Sequence, residues 1–269
     1  MIYRKTPTAE LAFAEWVLRE AYRKCFAGNC ERVMQKGSFD LVSAADVAVE
    51  KFVAGEIHAR FPSDRFLGEE TTPGAETTPG AALGGRCWVL DPIDGTVNMV
   101  NGIPVYGMQC ALFEDDCCVV SALYFPVWNE MFTAGDSLGA FRNGERLTVT
   151  RRALSSAIVS FGDFRHDDPA RREQQLAIMA SVSPLVSKIR MFGAASMDFA
   201  SLAAGRTDGA VLFTRNLWDI APGILLCREA GAEVLSVDGG VYRQGSAGVA
   251  VTGSPELAQL LTRQDFSQR

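Results

Sequence analysis

The sequence predicts an α/β protein in which helices cover a mixed sheet. Apolar residues at helical spacing open the chain and give way to a block of short β-type runs, and beyond about residue 150 strand-like and helix-like segments alternate. With 48% hydrophobic residues in 269, the chain has enough apolar surface for a large core, in one domain or two closely packed lobes.

The first element is a helix from Pro7 to about Phe26, where Leu11, Ala14, Leu18, Ala21, Tyr22 and Cys25 recur at helical spacing. Thr6 is placed as its N-cap and Pro7 at its first helical position. A second helix is expected from Ser43 to about Arg60, with Val49, Phe52, Val53 and Ile57 inward and Pro62 ending the segment. Between about Arg65 and Val149 the runs RFLG, CWVLD, VYGMQCALFE, CVVSALYFPV, EMFTAG and GAFRNGERLTV read as an antiparallel sheet, with Asn143-Gly144 as a hairpin turn. After it come a strand near Ala157–Phe161, a helix near Pro169–Val182, a strand at KIRMF, a helix from Ser196 to Ala204 ended by Gly205, and a strand at GAVLF. A helix from about Asp219 to Ala230, strands at AEVLSV and GVAVTG, and a helix from Pro255 complete the order. The tandem ETTPGA at Glu70–Ala75 and Glu76–Ala81 reads as a surface loop, placed where it would also serve as a flap over a site.

Composition excludes several function classes. A net charge of −6 gives neither a nucleic-acid backbone nor an anionic membrane the basic face it needs, so no nucleic-acid or membrane partner is expected. The amino-terminal stretch MIYRKTPTAELAFAEW lacks the apolar run of a signal peptide, and no segment approaches the roughly 18 apolar residues that span a bilayer. A soluble, cytoplasmic protein is therefore expected. Seven cysteines without a CxxC pair read as buried reduced thiols, not as zinc ligands. Only His58 and His166 are present, neither in a motif with a nucleophile, which leaves carboxylates and hydroxyls to carry any chemistry.

The sharpest local signal is Asp91-Pro92-Ile93-Asp94-Gly95-Thr96-Val97-Asn98 at the end of the apolar Trp88-Val89-Leu90. Pro92 and Gly95 enforce a change of direction, so Asp91 and Asp94 converge while the Gly95 and Thr96 amides face the same space. Taken alone, the stretch reads equally as a β-turn whose aspartates cap amides. Gly68-Glu69-Glu70 ends another apolar strand, and alone is a solvated strand end. Trp218-Asp219 enters an apolar helix, where the aspartate alone is an N-cap. Ser43-Ala-Ala-Asp46 also reads as a capping box.

Taken together, in order and spacing, these segments resemble the signature of the inositol monophosphatase family. The resemblance extends to Asp40-Leu41-Val42-Ser43 with Asp46, to Gly193-Ala194-Ala195-Ser196, and to the AAGR-x-DG stretch at Ala203–Gly209, so that it spans about residues 36 to 253. It implies the layered αβαβα sandwich shared with fructose-1,6-bisphosphatases, with an N-terminal α+β lobe over residues 1–151, a C-terminal α/β lobe over 152–269 and the site between them.

The resemblance also implies a magnesium-dependent, lithium-sensitive phosphomonoesterase with two or three Mg2+ ions per site. Glu69, Asp91 and the Ile93 carbonyl would hold the first ion, and Asp91, Asp94 and Asp219 the second. An all-oxygen donor set without histidine is what magnesium prefers. Glu69 and the Thr96 hydroxyl would activate the water, Asp46 would orient Thr96, and Asp94, Gly95, Thr96, Ala194, Ala195 and Asp219 would surround a small phosphorylated substrate. Two departures bear on that substrate. Ala194 replaces the family's usual threonine or serine, and Leu212-Phe213-Thr214-Arg215-Asn216 stands where inositol-specific members carry a glutamate. Arg215 is a candidate for meeting a second anionic group. Inositol monophosphate remains the leading substrate, ahead of a 3′(2′),5′-bisphosphate nucleotide, fructose 1,6-bisphosphate and histidinol phosphate. A non-catalytic metal- or phosphate-binding regulator is the reading from another class. A homodimer is implied.

Overall fold

The computed structural model describes residues 7–26, 33–35, 41–71, 83–164, 166–214 and 216–262. Its first helix, α1 (Thr8–Ala21), starts one residue later than the periodicity suggests: Pro7 is the N-cap, and Tyr22–Phe26 widens into a π-helical turn. A short antiparallel ribbon of β1 (Val33–Gln35) and β2 (Leu41–Ser43) leads into α2 (Ala44–Arg60). The start of α2 is closed by a capping box, in which Ser43 accepts from the amides of Ala45 and Asp46 while Asp46 accepts from the Ser43 amide.

A seven-stranded sheet follows in chain order: β3 (Arg65–Gly68), β4 (Arg86–Asp94), β5 (Gly107–Glu114), β6 (Cys117–Phe125), β7 (Glu130–Gly135), β8 (Gly139–Arg142) and β9 (Glu145–Arg146). The Asn143-Gly144 hairpin forms with both residues at positive φ, 49° and 83°. The expectation of a wholly antiparallel sheet is corrected at its first pair, since β3 and β4 run parallel. A parallel pair needs a crossover, here residues 69–85, and most of the ETTPGA repeat lies in its segment 72–82, outside the described residues. The short helix α3 (Thr96–Val100) between β4 and β5 was not anticipated.

The second sheet has the order β11 (Lys188–Arg190), β10 (Ile158–Phe161), β12 (Gly209–Leu212), β14 (Val249–Thr252), β13 (Glu233–Ser236), and it is mixed: β10 is parallel to β11 and β12, and β14 is antiparallel to both its neighbours. Helices α4 (Pro169–Val182), α5 (Ala195–Ala203), α6 (Leu217–Glu229) and α7 (Pro255–Leu261) complete the chain. Helix α6 begins two residues before Asp219, with Asn216 as N-cap, so Asp219 sits inside the first turn and does not cap it.

Strand alternation sorts these elements into five layers. Trp88, Leu90, Met108, Cys110 and Leu112 face outward onto Phe13, Val17, Val49, Val53 and Ile57 of α1 and α2. On the opposite face of the same sheet, Leu123, Phe125, Phe132 and Ala134 pack against Phe199, Leu202, Ile224 and Leu225 of α5 and α6, which also meet Ala210, Leu212, Val249 and Val251 of the second sheet. The intervening residues Val211, Phe213 and Ala250 point the other way, onto Ile178 and Val182 of α4 and Leu257 and Leu261 of α7. The result is the αβαβα sandwich. Asp208 of the AAGR-x-DG stretch is fully buried and accepts from Arg152 Nη1 (2.8 Å), Thr150 Oγ1 (2.9 Å) and the Ile158 amide (2.9 Å). It thereby fastens the connection between the two sheets.

Candidate active site

The parallel pairing of β3 and β4 explains why two acids from distant positions meet. Parallel strands deliver their carboxyl ends to the same edge, and the register pairs Gly68 with Leu90, the residues just before Glu69 and Asp91. The Glu69 amide donates to the Leu90 carbonyl at 3.2 Å, prolonging the ladder by one step. Glu50 of α2 shapes the turn that follows. Its buried carboxylate accepts from the amides of Glu70 (2.8 Å) and Thr71 (2.7 Å), and a Cβ on Gly68 would lie 2.3 Å from its Cδ. A side chain at position 68 would have to push that carboxylate off its two amides.

Asp91 and Asp94 are three residues apart, which on a regular strand would send them to opposite faces. Between Asp91↔Gln109 and Asp94↔Gly107, however, β4 takes three steps while β5 takes two. This bulge returns both carboxylates to the inner face. Gly95 then turns the chain at φ 87°, with Val105 O, Ala194 Cβ and Gly193 O all within 3.3 Å of where a Cβ would stand. On α3, the Thr96 hydroxyl lies 2.8 Å from the Ile93 carbonyl and 3.2 Å from Asp46 Oδ1. It has one proton for these two acceptors, so its lone pairs remain available to a further donor. The other Asp46 oxygen is occupied by the amide (2.8 Å) and hydroxyl (2.5 Å) of Ser43. Asp46 is thus both cap and partner to Thr96.

The second sheet's side of the site is tied down by Asn98, whose Nδ2 donates to the carbonyls of Val105 and Phe192, each at 2.8 Å. That anchors the Gly193–Ala195 loop against α3. Asp94 then accepts from the amides at the start of α5, Ala195 (3.1 Å) and Ser196 (2.6 Å), and so supplies the cap that Ala194 lacks. Asp219 Oδ2 accepts from Thr214 Oγ1 (2.6 Å) and Asn216 Nδ2 (3.2 Å). Gln109 reaches both Asp91 Oδ2 and the Asp219 carbonyl, at 3.4 Å each. A cavity of about 180 Å³ opens beside this cluster, lined by Asp94, Asp163, the Gly193–Ala195 loop, Leu212, Phe213, Thr214 and Asp219.

Burial first, then the charges of Glu69, Asp94 and Asp219, push the Asp91 carboxyl well above the usual carboxylate range. Asp94 is pushed up to about 6 by burial, against the pull of its Ser196 and Ala195 hydrogen bonds. Asp46 is also raised by burial, opposed by Ser43 and Thr96. Asp91 Oδ1 is buried and has no hydrogen-bond partner. Carboxylates gathered at such a point repel one another unless a cation lies among them, so the donor set fits a hard divalent ion. Among the described residues, no three of His, Cys, Asp and Glu form a ready-made metal cage. Each Asp94 oxygen is turned to one backbone donor and retains a second lone pair, whereas Asp219 Oδ2 is turned to both Thr214 and Asn216.

The structure therefore brings Asp46, Glu69, Asp91, Ile93, Asp94, Gly95, Thr96, Ala194, Ala195 and Asp219 into one neighbourhood. Asp40 and Arg215 lie outside the described residues. Four contributors went unread in the sequence. Glu50 is a mid-helix acid and Gln109 a mid-strand amide, with no local pattern to mark them. Asn98 closes the Trp88–Asn98 segment, in which the two aspartates and Thr96 drew all the weight. Asp163 follows a strand and a glycine, as Glu69 does, and that parallel was its available signal.

The sequence model of the inositol monophosphatase family matches residues 5–268. The inositol-1-monophosphatase of Rhizobium meliloti is 37% identical over 233 residues, covering 86% of this chain and 84% of that protein. The fructose-1,6-bisphosphatase/inositol-1-monophosphatase of Thermotoga maritima is 31% identical over 217 residues, 79% and 78% of the two chains. Among solved structures, the extragenic suppressor protein suhB of Bartonella henselae aligns with a TM-score of 0.80 at 31% identity, over 96% of this chain and 98% of that one. Fold, site and likeness together define a phosphatase. The chain belongs to the inositol monophosphatase family.

Proposed function

We propose that the chain hydrolyses a small phosphate monoester, with inositol monophosphate the leading substrate, and that magnesium is its cofactor, two or three ions per site. The observation that carries this reading is the buried Asp91, with its unpartnered Oδ1 among the charges of Glu69, Asp94 and Asp219. Glu69, Asp91 and the Ile93 carbonyl would hold one ion, and Asp91, Asp94 and Asp219 another. When bound, magnesium supplies the Lewis-acid charge that makes a water nucleophilic near neutral pH and neutralises phosphate oxygens.

The chain's own residues do the rest. The Thr96 hydroxyl, with its proton turned to Ile93 O or Asp46, offers a lone pair to orient the attacking water, and Glu69 draws off that water's proton. The Gly95 and Thr96 amides meet the phosphate, and Ala194, Ala195 and Asp219 border the alcohol. The lobes at residues 1–151 and 152–269 close on the substrate from two sides.

A homodimer is part of the proposal. Ile103, Val127, Trp128 and Met191 are exposed, and Trp128 lines a groove of about 440 Å³ together with Val105, Arg190 and Phe192. Sedimentation should show twice the chain mass, and a monomer at micromolar concentration would contradict it. No described helix is long and apolar enough to cross a membrane, and work in the cytoplasm is proposed.

Phosphate release in magnesium from inositol 1-phosphate, fructose 1,6-bisphosphate, a 3′,5′-bisphosphate nucleotide and histidinol phosphate tests the substrate. The highest kcat/KM is expected on the inositol ester. The Thermotoga relative's double name makes the fructose ester the next candidate. Turnover of none of the four would favour a non-catalytic regulator.

A further inference from the structure

One acid in the cavity has no part in the reaction described above. Asp163 follows β10 through Gly162, whose amide donates to the Val211 carbonyl (2.9 Å) and whose own carbonyl accepts from Gln175 Nε2 (2.6 Å). Gln175 is fully buried on α4, so Asp163 is carried on a fastened stem. Its carboxylate lines the cavity and makes no hydrogen bond or ion pair with the described residues. It is close enough to raise the proton affinity of Asp94.

The rest of the lining sets what Asp163 meets. Leu212 and Phe213 give an apolar floor, Gly193–Ala195 a backbone wall, and Thr214 a hydroxyl already committed to Asp219. No cation among the described residues lines the cavity. At about 180 Å³ it is smaller than the roughly 300–1,000 Å³ typical of sites for drug-sized ligands, which suits one sugar-sized group.

We propose that Asp163 is a specificity-determining residue, its carboxylate accepting hydrogen bonds from the hydroxyls of a neutral polyol that carries the phosphate. The inference rests on the phosphatase reading above. A carboxylate only accepts, and adjacent hydroxyls satisfy its two oxygens with charge-assisted bonds. The same charge disfavours a substrate that brings a second phosphate or a carboxylate into the cavity.

The test compares wild type, Asp163→Asn, which removes the charge, and Asp163→Ala, which removes the acceptor. The substrates are inositol 1-phosphate, fructose 1,6-bisphosphate and phenyl phosphate, which has no hydroxyl, all with magnesium. For inositol 1-phosphate both variants should raise KM about tenfold while kcat stays within about threefold. Phenyl phosphate kinetics should not change, and kcat/KM on the bisphosphate should rise. An unchanged KM for the inositol ester in both variants would overturn the assignment. So would an equal loss on phenyl phosphate, which would place Asp163 in phosphate handling. If the wild type hydrolyses none of the three, the phosphatase reading falls and takes this inference with it, a result seen before any variant is made.

Discussion

Asp198 of α5 shows burial deciding the protonation state of a side chain on the second sheet's side of the molecule. It is fully buried, and burial, opposed by the Ser160 hydroxyl and reinforced by the charges of Asp94 and Asp163, pushes its carboxyl well above the usual range. A folded-state pKa above the unfolded one means that the native protein keeps a proton that the unfolded chain releases. Stability from this group is therefore full below the ordinary value of 3.8 and is lost as pH rises toward the folded pKa, by up to about 1.4 kcal/mol per pH unit. Asp198→Asn cannot ionise and should escape the loss. Urea unfolding at about pH 5 and pH 7 should show the variant gaining on wild type as pH rises. A difference that does not vary with pH would contradict a buried, protonated Asp198. At the same scale, Glu50 and Gly68 act as one unit: the carboxylate that holds the Glu70 and Thr71 amides lies where a Cβ at position 68 would stand, so a side chain there would displace it from both amides.

At the scale of elements, the site is made by irregularities in regular structure. The bulge in β4 turns two aspartates to one face, the parallel β3–β4 pair adds Glu69 beside them, and the start of α5 closes on Asp94. Asn98 holds the approach of α5 to α3 through two carbonyls. Asn98→Ala leaves both carbonyls without that donor, which should cost about 2 kcal/mol in thermal or urea unfolding and lower kcat/KM about tenfold or more. Normal kinetics in the variant would contradict its tethering role. Much of this level was legible in the chain. Apart from α3 and the β1–β2 ribbon, strand and helix order followed from periodicity, and α4 matched to the residue at Pro169–Val182, whose proline at the first helical position marks a helix start strongly. The direction of β3 relative to β4 was not legible, since a strand's hydrophobic pattern is the same read either way. The bulge was not legible either, because it is a property of the pairing with β5 and not of β4 alone.

At the scale of the molecule, five layers place the ends of β3 and β4 against the first turns of α5 and α6, so that neither half of the chain holds all the candidate residues. The convergence of Glu69, Asp91, Asp94, Thr96 and Asp219 could be inferred from the sequence only through their joint resemblance to a family, because each acid alone had an ordinary role as cap, turn or strand end. The structure shows that some of those ordinary roles coexist with the site: Asp46 caps α2 and meets Thr96, and Asp94 caps α5 from a neighbouring strand. The groups that choose the substrate were harder to see, since they belong to a cavity wall assembled from β10, β12 and the Gly193 loop. The most direct test of the account is phosphate release from inositol 1-phosphate by wild type and Asp91→Asn, each titrated with magnesium after chelation and with folding checked by circular dichroism. Wild-type release should vanish in chelator and return with magnesium, whereas the folded variant should stay at least about 10³-fold below it at every concentration. Near-normal turnover by folded Asp91→Asn, or wild-type turnover indifferent to chelation, would contradict the carboxylate site as the seat of the reaction.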